Sequence, residues 1–219
     1  MRWGIIGTGG HSKTVLEALM SKSTFSSVTF FTKFFPDSPF FTSYKVLKDE
    51  EATRAAFDLK IDSWHAAIGD VFIREKKMQE LINHLRKLPV IIHDRSIISP
   101  SSLIGEGSFI NAGAVINADA SIGKGCIINT LASVDHDCKI RDFVNIGPGS
   151  NLAGTVTVGS RTDIGTGVSI IPGITIGTGC IIGAGSVVVR DIPDHSLVYG
   201  APARVIKKIN TDSEGNPNE

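Results

Sequence analysis

The second half of the chain carries an aliphatic residue at every sixth position. Neither the helical period of 3.6 nor the strand period of 2 produces a strict spacing of six. A solenoid does, if three six-residue units close one triangular coil and each aliphatic side chain points inward. The spacing predicts a β-helix of about five coils, in which each inward residue stacks on its counterpart eighteen residues later. The series is Ile98, Ile104, Ile110, Ile116, Ile122, Ile128, Val134, Ile140, Ile146, Leu152, Val158, Ile164, Ile170, Ile176, Ile182 and Val188.

Glycines follow these inward residues in two sets, one directly after the inward residue and one two positions further along the chain. Both sets are expected at tight corners, because glycine accepts backbone conformations that other residues disfavour. A sandwich of separate strands is the alternative, but it needs turns at irregular intervals of roughly 8 to 12 residues. The first set follows the inward residue directly (Gly105, Gly123, Gly147, Gly159, Gly165, Gly177 and Gly183). The second set lies two positions beyond that (Gly107, Gly125, Gly149, Gly167, Gly179 and Gly185).

The first half alternates apolar strand-like runs with helical patterns, which is typical of a small parallel sheet with crossover helices. The sequence therefore predicts a Rossmann-like α/β domain over 1–92 and a parallel β-helix over 98–209. Residues 210–219 contain no apolar anchor, and we expect them to be disordered. The predicted strands are 3–6, 28–32, 64–68 and 89–92, and the predicted helices are 13–20, 49–57 and 71–87.

Charge and composition exclude several classes of protein. Lys and Arg together number 22, as do Asp and Glu, so net charge gives no reason to expect nucleic acid or an anionic membrane as a partner. No apolar run reaches the roughly 18 residues of a membrane span, and Gly4 and Gly7 come too early for a signal peptide. We therefore expect a cytoplasmic location. Cys126, Cys138 and Cys180 lack metal-type spacing and are interpreted as reduced packing residues.

One repeat unit, residues 134–139, replaces small corner residues with a histidine between two aspartates. An imidazole with a near-neutral pKa suits a general base, which makes His136 the candidate. A carboxylate on the other ring nitrogen would fix the tautomer. Asp137 is the candidate for that role, and Asp135 remains open. A surface histidine at a solenoid corner is the plain alternative. A zinc site would need several histidines, and the repeat offers His136 alone, so no metal is expected.

The turn after the first strand contains Gly7, Gly9 and Gly10, followed by His11. Such a turn exposes the N–H groups of a helix start, which can hold phosphate or carboxylate oxygens. The pattern is short of a full dinucleotide fingerprint, and no acidic residue closes the next strand, so NAD is not favoured. A simple strand-to-helix turn is the alternative.

These motifs together resemble the hexapeptide-repeat acyltransferases. They resemble most the bacterial sugar acetyltransferases of the sialic-acid O-acetyltransferase type, which include N-acetyltransferases of nucleotide-linked amino sugars. The resemblance spans about residues 2–207 and includes the glycine turn, Ile-Gly-Asp at 68–70 with Arg74, Ile-Ser-Pro at 98–100, Val-Asp-His-Asp-Cys at 134–138 and the closing segment 184–206. It implies a left-handed β-helix, a homotrimer, and acetyl-CoA in the groove between neighbouring β-helices.

The resemblance also implies roles for particular residues. It places the general base at His136, its acidic partner at Asp137, and a contact near the acceptor amine at Asn129. The predicted substrate-binding residues further include Gly9, Gly10, His11, Thr32, Lys33, Gly69 and Asp70. The predicted acetyl-CoA residues are Gly154, Thr166, Ala184 and Asn145, the last standing where a second histidine often contacts the thioester region.

The expected function is acetyl-CoA-dependent N-acetylation of a nucleotide-linked amino sugar in the synthesis of surface glycan precursors. Many relatives have paired aspartates where this chain has Thr32 and Lys33. This difference argues against a uridine-specific contact and favours another base or an acidic sugar, so O-acetylation of a sialic-acid-like sugar stays open. A noncatalytic trimeric scaffold is a further alternative. Six of the eleven phenylalanines lie within 30–41. We interpret them as packing residues, with a loop over an aromatic base or a patch against a neighbouring subunit as alternatives.

Overall fold

The structure is a computed structural model that describes residues 1–22 and 25–209. The disorder predicted for residues 210–219 therefore lies outside the described residues. Within the described ranges, no helix has both the length and the apolar character needed to cross a membrane. The helices are α1 (Gly10–Ser21), α2 (Ala52–Asp58) and α3 (Val71–Asn83), with short 3₁₀ helices at Pro39–Phe41 and Asp49–Glu51.

Four parallel strands form the N-terminal sheet, in the order β3-β2-β1-β4. Side chains alternate between the two faces of a strand. Ile5 and Phe30 accordingly pack with α1, whereas Ile6 and Phe31 pack with α2 and α3. The predicted Rossmann-like arrangement is confirmed, although the sequence did not indicate the edge strand β3. The four strands are β1 (Arg2–Ile6), β2 (Ser27–Thr32), β3 (Lys45–Lys48) and β4 (Ser63–Ala66).

The remaining chain is the predicted left-handed parallel β-helix. Its two-residue strands are β5 (Ile91–Ile92), β6 (Ile97–Ile98), β7 (Leu103–Ile104), β8 (Phe109–Ile110), β9 (Val115–Ile116), β10 (Ser121–Ile122), β11 (Ile127–Ile128), β12 (Ser133–Val134), β13 (Lys139–Ile140), β14 (Asn145–Ile146), β15 (Asn151–Leu152), β16 (Thr157–Val158), β17 (Asp163–Ile164), β18 (Ser169–Ile170), β19 (Thr175–Ile176), β20 (Ile181–Ile182) and β21 (Val187–Val188). An antiparallel pair, β22 (Ser196–Tyr199) and β23 (Arg204–Lys208), closes it.

Three sheets form the faces of the β-helix. Sheet I contains β7, β10, β13, β16 and β19; sheet II contains β5, β8, β11, β14, β17, β20, β22 and β23; sheet III contains β6, β9, β12, β15, β18 and β21. Each inward residue stacks on its counterpart eighteen residues on, as Ile122 does on Ile140. The chain visits sheets I, II and III in turn, so each coil has three corners.

The two sets of glycine serve different purposes. The second set has positive φ, as at Gly107 (φ 67°), and forms the tight corners as predicted. The first set does not have positive φ. A Cβ on Gly105 would instead lie 2.5 Å from the backbone nitrogen of Lys124 in the next coil. The first set is therefore required by the close approach of successive coils, and not by corner geometry as the sequence had suggested.

The N-terminal sheet and its helices pack on sheet II. Phe109 and Ile127, on the outer side of that sheet, belong to the hydrophobic cluster around α1. The strand predicted at 89–92 for the N-terminal sheet is limited to Ile91–Ile92, and it pairs with β8 of the β-helix. That assignment was wrong because a two-residue apolar run does not specify its pairing partner. The division into independent domains at 92 and 98 stays a prediction.

Candidate active site

His136 lies at the corner between β12 and β13, where sheet III meets sheet I. Asp137 follows it with φ 59°, in the left-handed region that aspartate tolerates better than most residues. The corner brings Oδ2 of Asp137 to 2.8 Å from Nδ1 of His136. This hydrogen bond is the main cause that raises the pKa of His136 above its ordinary value, and the charge of Asp135 adds to it.

Asp135 holds the backbone of the same corner. Its Oδ1 accepts hydrogen bonds from the backbone N–H of His136 at 2.7 Å and from Nδ2 of Asn117 at 2.8 Å. These two donors lower the pKa of Asp135. Of the two candidate carboxylates, Asp137 therefore contacts the imidazole ring, while Asp135 fixes the chain that carries it.

Gly154 lies beneath the imidazole, one coil further along the β-helix. A Cβ there would be 2.6 Å from both Cε1 and Nε2 of His136. Because Nδ1 of His136 is engaged by Asp137, Nε2 is the ring nitrogen left to accept a proton. The side chain is 57% exposed within one chain, so Nε2 is accessible from outside the β-helix.

Other predicted binding residues lie at a different corner, where sheet II meets sheet III. There Oδ1 of Asn129 accepts hydrogen bonds from the N–H of Thr130 at 2.8 Å and from Nδ2 of Asn111 at 3.2 Å. Within the described ranges the amide NH₂ of Asn129 has no acceptor, so it is available as a donor. Thr166 and Ala184 are exposed at the same corner in later coils. Three of the predicted acetyl-CoA residues are therefore divided between two corners, with Gly154 beside His136. The fourth, Asn145, lies on β14 of sheet II.

The two glycine turns of the N-terminal sheet lie side by side. Gly7 has φ 110°, and a Cβ on it would lie 2.7 Å from the carbonyl oxygen of Ala67 in the turn after β4. The connection that follows β1 runs over one face of the sheet, and the connection that follows β4 runs over the opposite face. Ligands of parallel sheets bind at the point where the connections change face in this way. Added Cβ atoms on Gly9, Gly10 or Gly69 would meet nothing within 4 Å. All three glycines therefore border open space at the same edge.

Arg74 joins the second of these turns to the β-helix. Its Nη1 donates to the carbonyl oxygens of Ile68 and Gly69, both at 2.8 Å, and its Nε donates to that of Gly125 at 2.9 Å. Its Nη2 donates to Oδ1 of Asn145 at 2.6 Å, and Nδ2 of Asn145 donates to the Gly69 carbonyl at 3.0 Å. The buried guanidinium therefore fixes the turn against sheet II.

Comparisons with known proteins identify relatives with the same fold. The model of the PglD N-terminal domain matches residues 4–81. A variant of perosamine N-acetyltransferase from Caulobacter crescentus, crystallised with CoA and GDP-perosamine, is 38% identical with a TM-score of 0.89 over 95% of this chain and 98% of that chain. The acetyltransferase domain of PglB from Neisseria gonorrhoeae, in complex with acetyl coenzyme A, is 35% identical with a TM-score of 0.88 over 94% and 98%. The chain belongs to the hexapeptide-repeat acetyltransferases.

Curated relatives of this acetyltransferase match short segments. Serine acetyltransferase from Bacillus pumilus is 63% identical over 35 residues, which are 14% of this chain and 16% of that enzyme. A dTDP-3-amino-3,6-dideoxy-α-D-galactopyranose 3-N-acetyltransferase from Aneurinibacillus thermoaerophilus is 68% identical over 25 residues, 11% of this chain and 13% of that enzyme. The predicted family and the predicted acetyltransferase class are confirmed.

His11 of the acetyltransferase is the second residue of α1. Its ring packs edge-on against Phe109 at 5.1 Å between centroids, and its buried Nε2 has no hydrogen-bond partner among the residues that the structure describes. Burial lowers the pKa of His11 to about 4, with a further contribution from the charge of Arg74. His65 lies behind it at 6.5 Å, and burial lowers its pKa to about 3. Both imidazoles are therefore neutral at physiological pH, and a contact of His11 with a ligand stays a prediction.

Two successive hydrogen bonds run from the glycine turn through the end of β2 to the turn that follows β2. Oγ1 of Thr8 donates to Oγ1 of Thr32 at 3.0 Å, and Oγ1 of Thr32 donates to the carbonyl oxygen of Phe34 at 2.7 Å. Lys33 is exposed, and its carbonyl oxygen accepts a hydrogen bond from Nζ of Lys48 at 3.0 Å. Thr32 therefore shapes this turn with its hydroxyl, whereas a contact of the Lys33 ammonium with a ligand stays a prediction.

Some of the predicted binding residues have structural roles in this acetyltransferase. Asp70 caps α3, since its Oδ1 accepts a hydrogen bond from the N–H of Ile73 at 2.8 Å. Both ends of the Asn145 amide are engaged by Arg74 and Gly69, so its contact with the thioester region stays a prediction. The sequence indicated Arg74 as part of a motif but not as the link between domains. Its spacing from Val71, Met78 and Leu81 places it on the buried face of α3, and this was the available signal.

In the described part of the chain, no group of three or more His, Cys, Asp or Glu side chains could hold a metal ion. The three cysteines are free and buried, and Cys138 lies in the core of the β-helix, as expected from its place in the repeat.

Proposed function

We propose that this acetyltransferase transfers the acetyl group of acetyl-CoA to the amine of a nucleotide-linked amino sugar. Acetyl-CoA is the cosubstrate, because relatives similar over nearly the whole chain were crystallised with CoA or acetyl-CoA. The observation that carries the proposal is the presence in one chain of a positioned imidazole base, His136, and of open glycine turns at a sheet switch point. A noncatalytic scaffold needs neither.

The sheet suggests how a nucleotide-linked sugar would lie. The start of α1 at Gly9 and Gly10 presents free N–H groups to a pyrophosphate, and the helix dipole favours negative charge there. In folds of this kind the nucleoside extends toward the end of β2, where Thr32 and Lys33 stand. The sugar then extends toward the turn at Gly69. That turn contacts the β-helix, so this direction brings the amino sugar to the side where acetyl transfer would occur.

The geometry of His136 supports direct attack by the amine. The hydrogen bond from Nδ1–H to Asp137 keeps Nε2 unprotonated and able to accept a proton. As the amine nitrogen attacks the thioester carbonyl carbon, its proton passes to Nε2. The C–N bond forms, the C–S bond breaks, and CoA leaves as a thiolate that takes up the proton from the imidazolium. Asp137 stabilises the imidazolium in the interval. The amide NH₂ of Asn129, free to donate, is suited to an oxygen of the sugar or of the thioester.

A homotrimer would complete this site. The N-terminal sheet packs on sheet II, whereas His136 lies at the opposite corner, between sheets III and I. No hydrogen bond or ion pair among the described residues connects His136 with residues 1–83. We infer that the His136 corner of one subunit meets the sugar-binding turns of its neighbour, with acetyl-CoA in the groove between the corner at Gly154 and the corner at Thr166 and Ala184.

The biological role would be acetylation of a precursor of a surface glycan, and the cytoplasmic location stays a prediction. The direct test is release of free thiol from acetyl-CoA in the presence of GDP-, UDP- and dTDP-linked amino sugars, with free sialic acids as the competing acceptors. An acetylated amino sugar nucleotide would support the proposal. Acetylation of sialic acid alone would replace it with the O-acetyl alternative, and no transfer to any amino sugar would contradict it.

A further inference from the structure

Phe34 and Phe35 are exposed aromatic residues in the turn that follows β2. These two residues are 73% and 59% exposed, whereas Phe30, Phe31 and Phe41 of the same aromatic run are buried in the core. Packing therefore explains the buried members of the run but not these two. Adjacent exposed aromatic rings beside a candidate ligand edge indicate a contact made by something outside the chain.

Lysines cover part of each ring. Nζ of Lys48 lies 4.4 Å from the ring centroid of Phe35, and Nζ of Lys33 lies 5.4 Å from that of Phe34. A cation over an aromatic face is attracted to the ring and restrains it. Lys48 also donates to the Lys33 carbonyl, which ties the end of β3 to the turn after β2. The two rings thus form a restrained surface, and each ring has an ammonium group over one of its faces.

The position of this surface in the sheet indicates which part of a ligand would contact it. Thr32 connects the turn to Thr8 of the glycine turn through the hydrogen bonds described above, so the rings and the proposed pyrophosphate site share one edge of the sheet. In parallel α/β sheets, the nucleoside of a bound nucleotide lies beyond the end of the strand next to the glycine turn. Exposed aromatic rings stack on nucleobases, since every base has a flat π face.

We propose that Phe34 and Phe35 form a stacking platform for the base of the sugar nucleotide, and that Lys33 and Lys48 select guanine over adenine. Lysine only donates hydrogen bonds, and guanine presents O6 and N7 as acceptors, whereas adenine presents a donor at the position of O6. This proposal rests on the proposed function, because it assigns the base of the same nucleotide-linked substrate.

The test measures binding of GDP, ADP and inorganic pyrophosphate by titration calorimetry. The variant combines Phe34→Ala with Phe35→Ala. Phe57→Ala is the matched control, because Phe57 is 74% exposed on α2 of the same domain and also has a cation, Arg86, over its ring. The platform predicts that the double variant binds GDP at least about fivefold more weakly, with pyrophosphate binding unchanged. The control is expected to bind all three probes like the wild type. The wild type is expected to bind GDP more tightly than ADP.

Unchanged GDP binding by the double variant would overturn the platform, as would equal loss of GDP and pyrophosphate binding. A lower oligomeric mass of the variant in light scattering would also overturn it, since the rings would then belong to a subunit interface. Equal affinity for GDP and ADP in the wild type would overturn the selection by lysine. These results differ from failure of the proposed function, in which the wild type would transfer no acetyl group to any nucleotide-linked amino sugar.

Discussion

The imidazole of His136 rests on Gly154, the residue that follows it by one full coil of the β-helix. A Cβ at Gly154 would be 2.6 Å from Nε2 and Cε1 of the ring, well inside van der Waals contact. The ring is held from one side by this contact and at Nδ1 by Asp137. The stacking of coils thus positions a side chain that is exposed within one chain.

Replacement of Gly154→Ala is expected to displace the imidazole and to lower kcat by about tenfold or more, because small errors in the position of a catalytic group are costly. Since φ at Gly154 is not positive, the fold should tolerate alanine. Steady-state kinetics of a double-mutant cycle with His136→Ala provides the check. Once His136 is absent, Gly154→Ala should cost little further activity, whereas additive losses would show that Gly154 acts independently of the ring.

Replacement of Asp137→Asn is expected to shift the pH profile. Activity requires an unprotonated His136, so kcat/KM rises with pH through the pKa of this group. The hydrogen bond to Asp137 raises that pKa, and its loss should move the acidic limb to lower pH. The plateau should also fall, because the imidazolium loses its stabilising carboxylate. A profile measured from pH 5 to 9 that keeps its acidic limb in place would contradict the assigned pair.

Two arginines connect α3 to the β-helix and are expected to differ in their contribution to stability. Arg74 is buried, and Arg74→Met would leave several buried carbonyl oxygens without a donor, at a cost of about 3 kcal/mol or more in the free energy of unfolding. Arg161 forms a partly exposed bidentate pair with Glu75, and Arg161→Met should cost less than about 1 kcal/mol. Urea unfolding of both variants measures the difference. Equal effects would show that the buried hydrogen bonds are not what secures the junction.

Mixed oligomers are expected to recover activity if the site lies between subunits. One parent carries His136→Ala, and the other carries Gly10→Asp, which places a carboxylate at the proposed phosphate site. The Cβ at position 10 meets no atom within 4 Å, so the fold should be retained, and Gly10→Asn is the neutral control. Co-expression of the two inactive parents should yield active enzyme, because some interfaces then join an intact base to an intact turn. Persistent inactivity of verified mixed oligomers would place the complete site within one chain.

The sequence predicts the β-helix in detail because one inward residue per face is a strict requirement of that fold. Every member of the six-residue series from Ile98 to Val188 occupies the second position of a strand, and Ile92 extends the series by one. The pairing of His136 with Asp137 was also predictable, because the two residues are adjacent in sequence and lie at the same corner.

The remaining features depend on contacts that no local pattern contains. The links of Arg74 to Gly125 and Asn145 span more than fifty residues of sequence. The separate reasons for the two glycine sets become visible only when successive coils are stacked. The edge strand β3 was missed because Lys45 and Lys48 surround only two apolar residues, which gives a weak strand pattern.

In the proposed reaction, His136 promotes transfer of an acetyl group from acetyl-CoA to a sugar amine. The most direct measurement is the reaction of carbon-13-labelled acetyl-CoA with nucleotide-linked amino sugars, followed by mass spectrometry and NMR of the product. The wild type should form a labelled amide on the sugar nitrogen, His84→Ala should match it, and His136→Ala should reduce turnover by about 100-fold or more while binding acetyl-CoA normally. A labelled ester, or full turnover by His136→Ala, would contradict the account.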